Sequence, residues 1–177
     1  MNEYHAFRRA AILIPLVPKN GELHILLTVR TDEVETHKGQ VSCLGGMMDK
    51  TDTDLTQTAL RETEEELGIS REHFEILGIS DDQATPTKFI ITPVVGYLRD
   101  YPKMHINRNE VADVFDVPLS VFLEKKHGST QKHEFQGKQY DVWYFQHGKH
   151  LIWGATAMIL VNFAEIVART QQNKNRE

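Results

Sequence analysis

A mixed β-sheet with helices on its faces, an α/β fold, is predicted for this chain by three observations. Two β-prone runs, residues 10–17 and 23–30, are joined by PKNGE, whose Asn20-Gly21 pair suits the turn of a hairpin. Two helical stretches follow, one within TDLTQTALRETEEEL and one within LIWGATAMILVNFAEIVART. Between them, strands and helices mix without the regular βαβ alternation of a doubly wound sheet.

The elements can be justified in order. The polar segment 31–38 leads to GQVSCLGG, where Gly45 and Gly46 let the backbone bend or approach a ligand closely. The first helix is expected to start near Asp52 or Thr53 and to stop at Gly68, which supplies a left-handed C-terminal position. Residues 74–79 and 89–98 have strand character, and Pro93 in the second suggests an edge or a bulge. A short helix near 119–125 precedes two β-prone stretches, 131–135 and 140–145, split by Gly137. Apolar Ile152, Ala155, Ile159, Phe163, Ile166 and Val167 give the C-terminal helix its packed face. The tail QQNKNRE is expected to fray.

Composition narrows the function. The 177 residues, 40% of them apolar, suit one domain with one sizeable core. A net charge of −5 and a pI near 6.0 give no general polyanion-binding footprint, so duplex nucleic acid is disfavoured and a ligand phosphate needs a local basic group or a metal. Cys43 is the only cysteine, which excludes an intrachain disulfide and fits a reducing compartment. The N-terminal apolar run is broken by Pro15 and Pro18, and no stretch approaches membrane-span length, so a soluble cytoplasmic protein is expected.

The stretch ALRETEEELGI, residues 59–69, carries the chemistry. Like charges three and four positions apart on a helix repel, so crowding Glu62, Glu64, Glu65 and Glu66 needs a reason. At 3.6 residues per turn Glu62, Glu65 and Glu66 fall on one face, with Leu60, Thr63 and Leu67 to the other side. Three carboxylates make an all-oxygen donor set of the kind hard cations such as Mg²⁺ or Mn²⁺ accept. Arg61 then orients a glutamate, or forms a plain surface salt bridge. Cys43 suits a buried thiol better than a nucleophile, His127 and His133 suit the surface, and Met47 and Met48 are candidates for a cleft wall. Tyr97, Phe115, Trp143 and Trp153 suit core packing better than stacking on a base.

GGMMDKTDTDLTQTALRETEEELGI resembles the Nudix box: G, five residues, E, seven residues, REUxEExGU, with U apolar. Residues 61–69 match throughout except that Thr63 stands at the first apolar position. The span from Gly46 to Arg61 is one residue longer than usual, with Asp52 near the place of the glutamate. That spacing resembles the coenzyme A pyrophosphatase subgroup, whose preceding motif is LLTxRS, three residues, R, three residues, GxxxFPGGxxD. LLTVRTDEVETHKGQVSCLGGMMD follows it through Leu26, Leu27, Thr28, Arg30, Gly39, Gln40, Gly45, Gly46 and Asp49. It departs at Thr31, at Glu35 in place of the second arginine, and at Cys43-Leu44 in place of Phe-Pro. ITPVVG, NEVADVFDVPLSVFL and IWGATAMIL extend the likeness from about residue 10 to about residue 167.

The resemblance implies an α/β/α sandwich in one domain over residues 1–170, with 171–177 a disordered tail, in a fold where homodimers are common. It implies a diphosphatase that cleaves coenzyme A or its derivatives to 3′,5′-ADP and 4′-phosphopantetheine, using Mg²⁺ or Mn²⁺ on Glu62, Glu65 and Glu66. The general base is Glu110 or Glu65. Gly45 and Gly46 face the diphosphate, and Arg30 is the first choice for a basic contact to the 3′-phosphate of coenzyme A, with Lys38 and Lys88 behind it. Glu35, Cys43 and Leu44 keep a second enzyme reading open, with ADP-ribose, NADH or a sugar nucleotide as substrate. A nucleotide sensor is the third; it is disfavoured because the box carboxylates are all present.

Overall fold

In the computed structural model residues 7–33 and 38–174 are described; Glu35 lies outside them, as do residues 175–177. The elements are β1 (Arg8–Lys19), β2 (Glu22–Arg30), β3 (Val41–Ser42), β4 (Leu44–Met47), α1 (Leu55–Leu67), β5 (Phe74–Ile79), β6 (Gln83–Ala84) and β7 (Phe89–Leu98), then β8 (Val111–Pro118), α2 (Ser120–Leu123), β9 (Gly128–Phe135), β10 (Lys138–His147), β11 (His150–Trp153) and α3 (Gly154–Lys174). The main sheet runs β3-β2-β1-β7-β5, with β4 paired to β1, β6 to β7 and β8 to β2. β1 and β7 are parallel and β1 and β2 antiparallel, so the sheet is mixed. β9, β10 and β11 form a second, antiparallel sheet.

Alternation along β1 divides the core. Ala11 and Leu13 point to one face and pack with Ala59, Leu60 and Leu67 of α1. Ile12 and Ile14 point to the other and pack with Ile159, Leu160 and Phe163 of α3. The result is the α/β/α sandwich expected, with α1 and α3 on opposite faces of the sheet.

Local chemistry sets the ends of α1. The Asp54 carboxylate accepts from the Gln57 backbone N–H at 2.8 Å and caps the N-terminus, one or two residues beyond the start anticipated near Asp52 or Thr53. Asp52 is occupied elsewhere, as described below. Gly68 closes the helix at φ 66°, its N–H donating to the Glu64 carbonyl. A Cβ there would also lie 2.7 Å from that of His105. Gly68→Ala is therefore expected to lower stability by roughly 2 kcal/mol in urea unfolding, and an unchanged midpoint would refute the left-handed cap.

Three expectations are corrected or narrowed. Of the two alternatives at Pro93 the edge is excluded, because β7 lies inside the sheet, whereas an irregularity is found beside it: the β5–β7 register shifts between Ile76 and Gly78, and Pro93 sits just past the shift, where β5 runs out. Ile152 belongs to β11, because α3 begins only at Gly154, whose φ of 67° turns the chain from strand to helix, and Ala155 is exposed. α3 continues to Lys174, so residues 171–174 extend the helix where a frayed tail was expected.

Candidate active site

β4 brings Gly45 and Gly46 between β1 and α1. Gly45 pairs with Ile12 at φ 143°, and a Cβ there would lie 2.3 Å from the Ala11 carbonyl oxygen. A Cβ on Gly46 would lie 2.4 Å from Cδ of Glu62. Gly45 therefore requires glycine, since its Cβ would meet fixed backbone, while the absence of a side chain at Gly46 leaves room for the Glu62 carboxylate and lets β4 press against the acidic helix. The same two glycines line a cleft of about 440 Å³ on their other side, together with Arg30, Cys43, Ile91 and Trp153. The diglycine is the partition between carboxylates and cleft.

Glu66 overturns part of the helix-face argument. It is 3% exposed, on the buried side of α1 with Ala59 and Thr63 rather than on the solvent side. Its carboxylate accepts from the Gly45 N–H at 3.3 Å. Burial pushes its pKa up to about 8, with the Glu62 and Glu110 charges adding to the rise and Gly45 and Arg30 opposing it. Glu62 is raised as well, chiefly by burial. Thr63, the departure from the box pattern, is fully buried and satisfies its hydroxyl by donating to the Ala59 carbonyl at 2.7 Å.

Glu65 points outward, its side chain 54% exposed, and meets Arg61 Nη1 at 3.1 Å. Arg61 is a hub. It forks onto both Asp52 oxygens at 3.0 Å, reaches Glu62 at 2.9 Å, and donates to the Met47 carbonyl at 3.2 Å. Asp52 also accepts from the Thr58 hydroxyl and the Asp49 N–H, both at 2.9 Å, and these bonds hold it well below the usual carboxylate range. These contacts tie the strand, the loop and the helix together, and two of them orient glutamates, Glu62 and Glu65.

Glu110 lies on the loop before β8. That loop is fixed by Asn107 N–H to the Glu66 carbonyl, His105 N–H to the Leu67 carbonyl, and Thr31 N–H to the Glu110 carbonyl. The Thr31 hydroxyl donates to the Asn109 carbonyl at 2.7 Å, so the threonine that replaces the subgroup's serine uses its oxygen to hold this loop. The Glu110 carboxylate accepts from the Asn107 side chain at 3.2 Å, and its charge is felt at both Glu62 and Glu66.

The structure therefore brings Glu62, Glu66, Glu110 and Arg30 together, with Glu65 joined through Arg61. Arg30 lines the cleft, and among the described residues its buried Nε has no hydrogen-bond partner. Lys38 is exposed in a turn and does not line the cleft, and Lys88 is likewise absent from its walls. Cys43 is 5% exposed with its thiol pushed up to about 12, mainly by burial, so it is inert as a nucleophile. Tyr97, Phe115 and Trp143 pack on the core, whereas Trp153 walls the cleft. The α3 contribution, Thr156 and Ile159, was not anticipated; it depends on packing between distant segments.

The donor chemistry fits a hard divalent cation: the available ligands are carboxylate oxygens, and Glu66 is a buried acid whose charge has a long hydrogen bond from Gly45 and the Arg30 charge to set against burial. Among the described residues no three His, Cys, Asp or Glu side chains already stand as a cage, because Glu62 and Glu65 are turned to Arg61. Among the same residues no helix is long and apolar enough to cross a membrane.

An acidic helix partitioned by two glycines from a nucleotide-sized cleft, in an α/β/α sandwich, defines a hydrolase-type site for a polyanionic substrate. The model of the NUDIX domain matches residues 6–144. The chain is 36% identical over 160 residues to a protein of Photorhabdus laumondii described as an uncharacterized Nudix hydrolase NudL, covering 90% of this chain and 85% of the relative. It is 35% identical over 166 residues to Nudix hydrolase 15, mitochondrial, of Arabidopsis thaliana, covering 90% of this chain and 58% of that longer one. An Ap4A hydrolase binary complex from C. elegans shares the fold at a TM-score of 0.55 and 20% identity, over 66% of this chain and 84% of that one. The chain belongs to the Nudix hydrolase family, which acts on phosphoanhydride bonds in nucleoside diphosphate derivatives and generally uses divalent metal ions.

Proposed function

We propose that this enzyme hydrolyses the diphosphate linkage of coenzyme A or its derivatives, giving 3′,5′-ADP and 4′-phosphopantetheine or its acyl form. The observation that carries the reading is the diglycine partition, with Glu62 and Glu66 on one side and Arg30 in the cleft on the other. The subgroup-like residues 26–49 fall on β2 to β4 and the connections around them, where Arg30, Gly45 and Gly46 meet the cleft.

Glu62, Glu65 and Glu66 would hold Mg²⁺ or Mn²⁺, which when bound neutralises the phosphates and promotes attack by water. Glu110 takes the proton from the attacking water; its place beside Glu62 and Glu66 favours it over the outward-turned Glu65. Arg30 binds a phosphate oxygen through a guanidinium already confined in the wall. The mainly apolar remainder of the cleft, including Ile91, Ile159 and Trp153, receives the uncharged parts of the substrate.

A second reading, another nucleoside diphosphate derivative as substrate, draws support from Cys43. Of the Cys43-Leu44 pair only Cys43 lines the cleft, Leu44 being buried in the α1-side core, so one small side chain faces the ligand where the subgroup has phenylalanine. Assays with Mg²⁺ and Mn²⁺ across coenzyme A, acyl-coenzyme A, ADP-ribose, NADH and sugar nucleotides, with product identification, separate the two. Highest kcat/KM on coenzyme A or its acyl forms is expected, and preference for ADP-ribose, NADH or a sugar nucleotide would overturn the first reading.

A further inference from the structure

The floor of the cleft comes from one face of two parallel neighbours. Ala10 and Ile12 alternate to that face on β1, and Phe89 and Ile91 on β7, with Arg8 registered beside Phe89. Alternation places Arg8 next in the Ile12, Ala10 series, at the end of the same face. Its guanidinium lies over the Phe89 ring, 4.2 Å from the centroid, and its Nη1 is 3.8 Å from Sδ of Met47. Phe89 and Met47 are themselves cleft walls.

Met47 also walls a second, open hollow of about 450 Å³, shared with Arg8, Arg9 and Lys50. Its two acidic residues are engaged. Asp52 is forked by Arg61, and Asp49 accepts from the N–H and hydroxyl of Thr51. Arg9 faces Asp82 at 3.6 Å. Among the described residues no carboxylate pairs with Arg8 or Lys50, while aromatic and sulfur contacts already fix the direction of the Arg8 guanidinium. Its donors stand at the junction of cleft and hollow.

We propose that Arg8, supported by Lys50, forms a second anion subsite at the mouth of the cleft, binding a phosphomonoester on the ribose of a nucleotide whose diphosphate lies at the diglycine. The site decides between phosphorylated and unphosphorylated forms of one substrate without touching the bond that breaks. The inference rests on the reading of the cleft given under Proposed function. Arg30, the first choice from the sequence for this phosphate, lines the cleft with Gly45 and Gly46 and serves the diphosphate instead.

Calorimetric titration of the full chain with 3′,5′-ADP and with 5′-AMP, both in Mg²⁺, tests the subsite without any need for turnover. The native protein is expected to bind 3′,5′-ADP about tenfold more tightly than AMP, as one charge-assisted phosphate contact allows. Arg8→Met should abolish that preference and leave AMP affinity unchanged, and Lys50→Met should reduce it. Both side chains are exposed, so the variants leave the core intact. Equal affinities in the native protein, or a preference that survives Arg8→Met, would overturn the subsite. Tighter 3′,5′-ADP binding without coenzyme A hydrolysis would sink the substrate reading alone; hydrolysis without the preference would sink the subsite alone.

Discussion

Glu66→Gln is expected to lower turnover by about 100-fold or more while leaving the protein folded. The amide keeps the size of the side chain and an oxygen for the Gly45 N–H, but it removes the negative charge that a divalent cation requires. Losing several kcal/mol of charge stabilisation in the transition state corresponds to two or three orders of magnitude in rate. Stability should move the other way or not at all, because burial already disfavours the charged form of Glu66. Steady-state kinetics in Mg²⁺ or Mn²⁺ and a metal-free melting curve read the two effects separately. Unchanged turnover would remove Glu66 from the proposed metal set. A collapsed melting temperature would show instead that its role lies in holding β4 to α1.

The contrast with Glu65 follows from the same geometry. Both were read from the sequence as neighbours on one solvent-facing side, and helix periodicity contained the evidence against it. Glu66 lies three residues beyond Thr63 and seven beyond Ala59, both fully buried, so its position belongs to the inner stripe. The default assumption that a glutamate points outward outweighed the spacing. Other features were legible because they depend on neighbours in sequence: the Asn20-Gly21 turn between β1 and β2 and the Gly68 stop are local backbone requirements.

What escaped the sequence depends on contacts between distant segments. The local pattern suggested a start near Asp52 or Thr53; Asp54 takes the capping role instead, while Arg61, nine residues away from Asp52, claims the Asp52 carboxylate. The start of α3 was obscured because Ile152 satisfies both the pairing of β11 with β10 and an extrapolated helical stripe. The cleft wall contributed by Trp153, Thr156 and Ile159, and the place of Arg8 at the end of its floor, require the parallel registration of β1 with β7 and the packing of α3, which no local pattern encodes.

Asp52→Asn is expected to destabilise the protein by about 2–4 kcal/mol at pH 7, somewhat less than a fully buried pair because Arg61 is 25% exposed. Asparagine cannot accept both guanidinium bonds, and it would leave the Arg61 charge facing a neutral amide beside Met47 and Glu62. The hub would loosen, so turnover should fall along with stability. The pH dependence gives the sharper test. Asp52 has a depressed pKa in the folded state, set first by Arg61, so the unfolded chain takes up its proton at a higher pH than the folded one. Its stabilisation is complete above the ordinary aspartate value near 4 and is lost as pH falls toward the lower folded value. The stability gap between the native protein and Asp52→Asn should therefore be full at neutral pH and should narrow steadily below about pH 4. Urea unfolding of both proteins from pH 7 downward measures it. A gap that is absent at pH 7, or that stays constant through the acid range, would show that the Asp52 charge does not hold Arg61, and that the hub is set by the uncharged contacts of the loop.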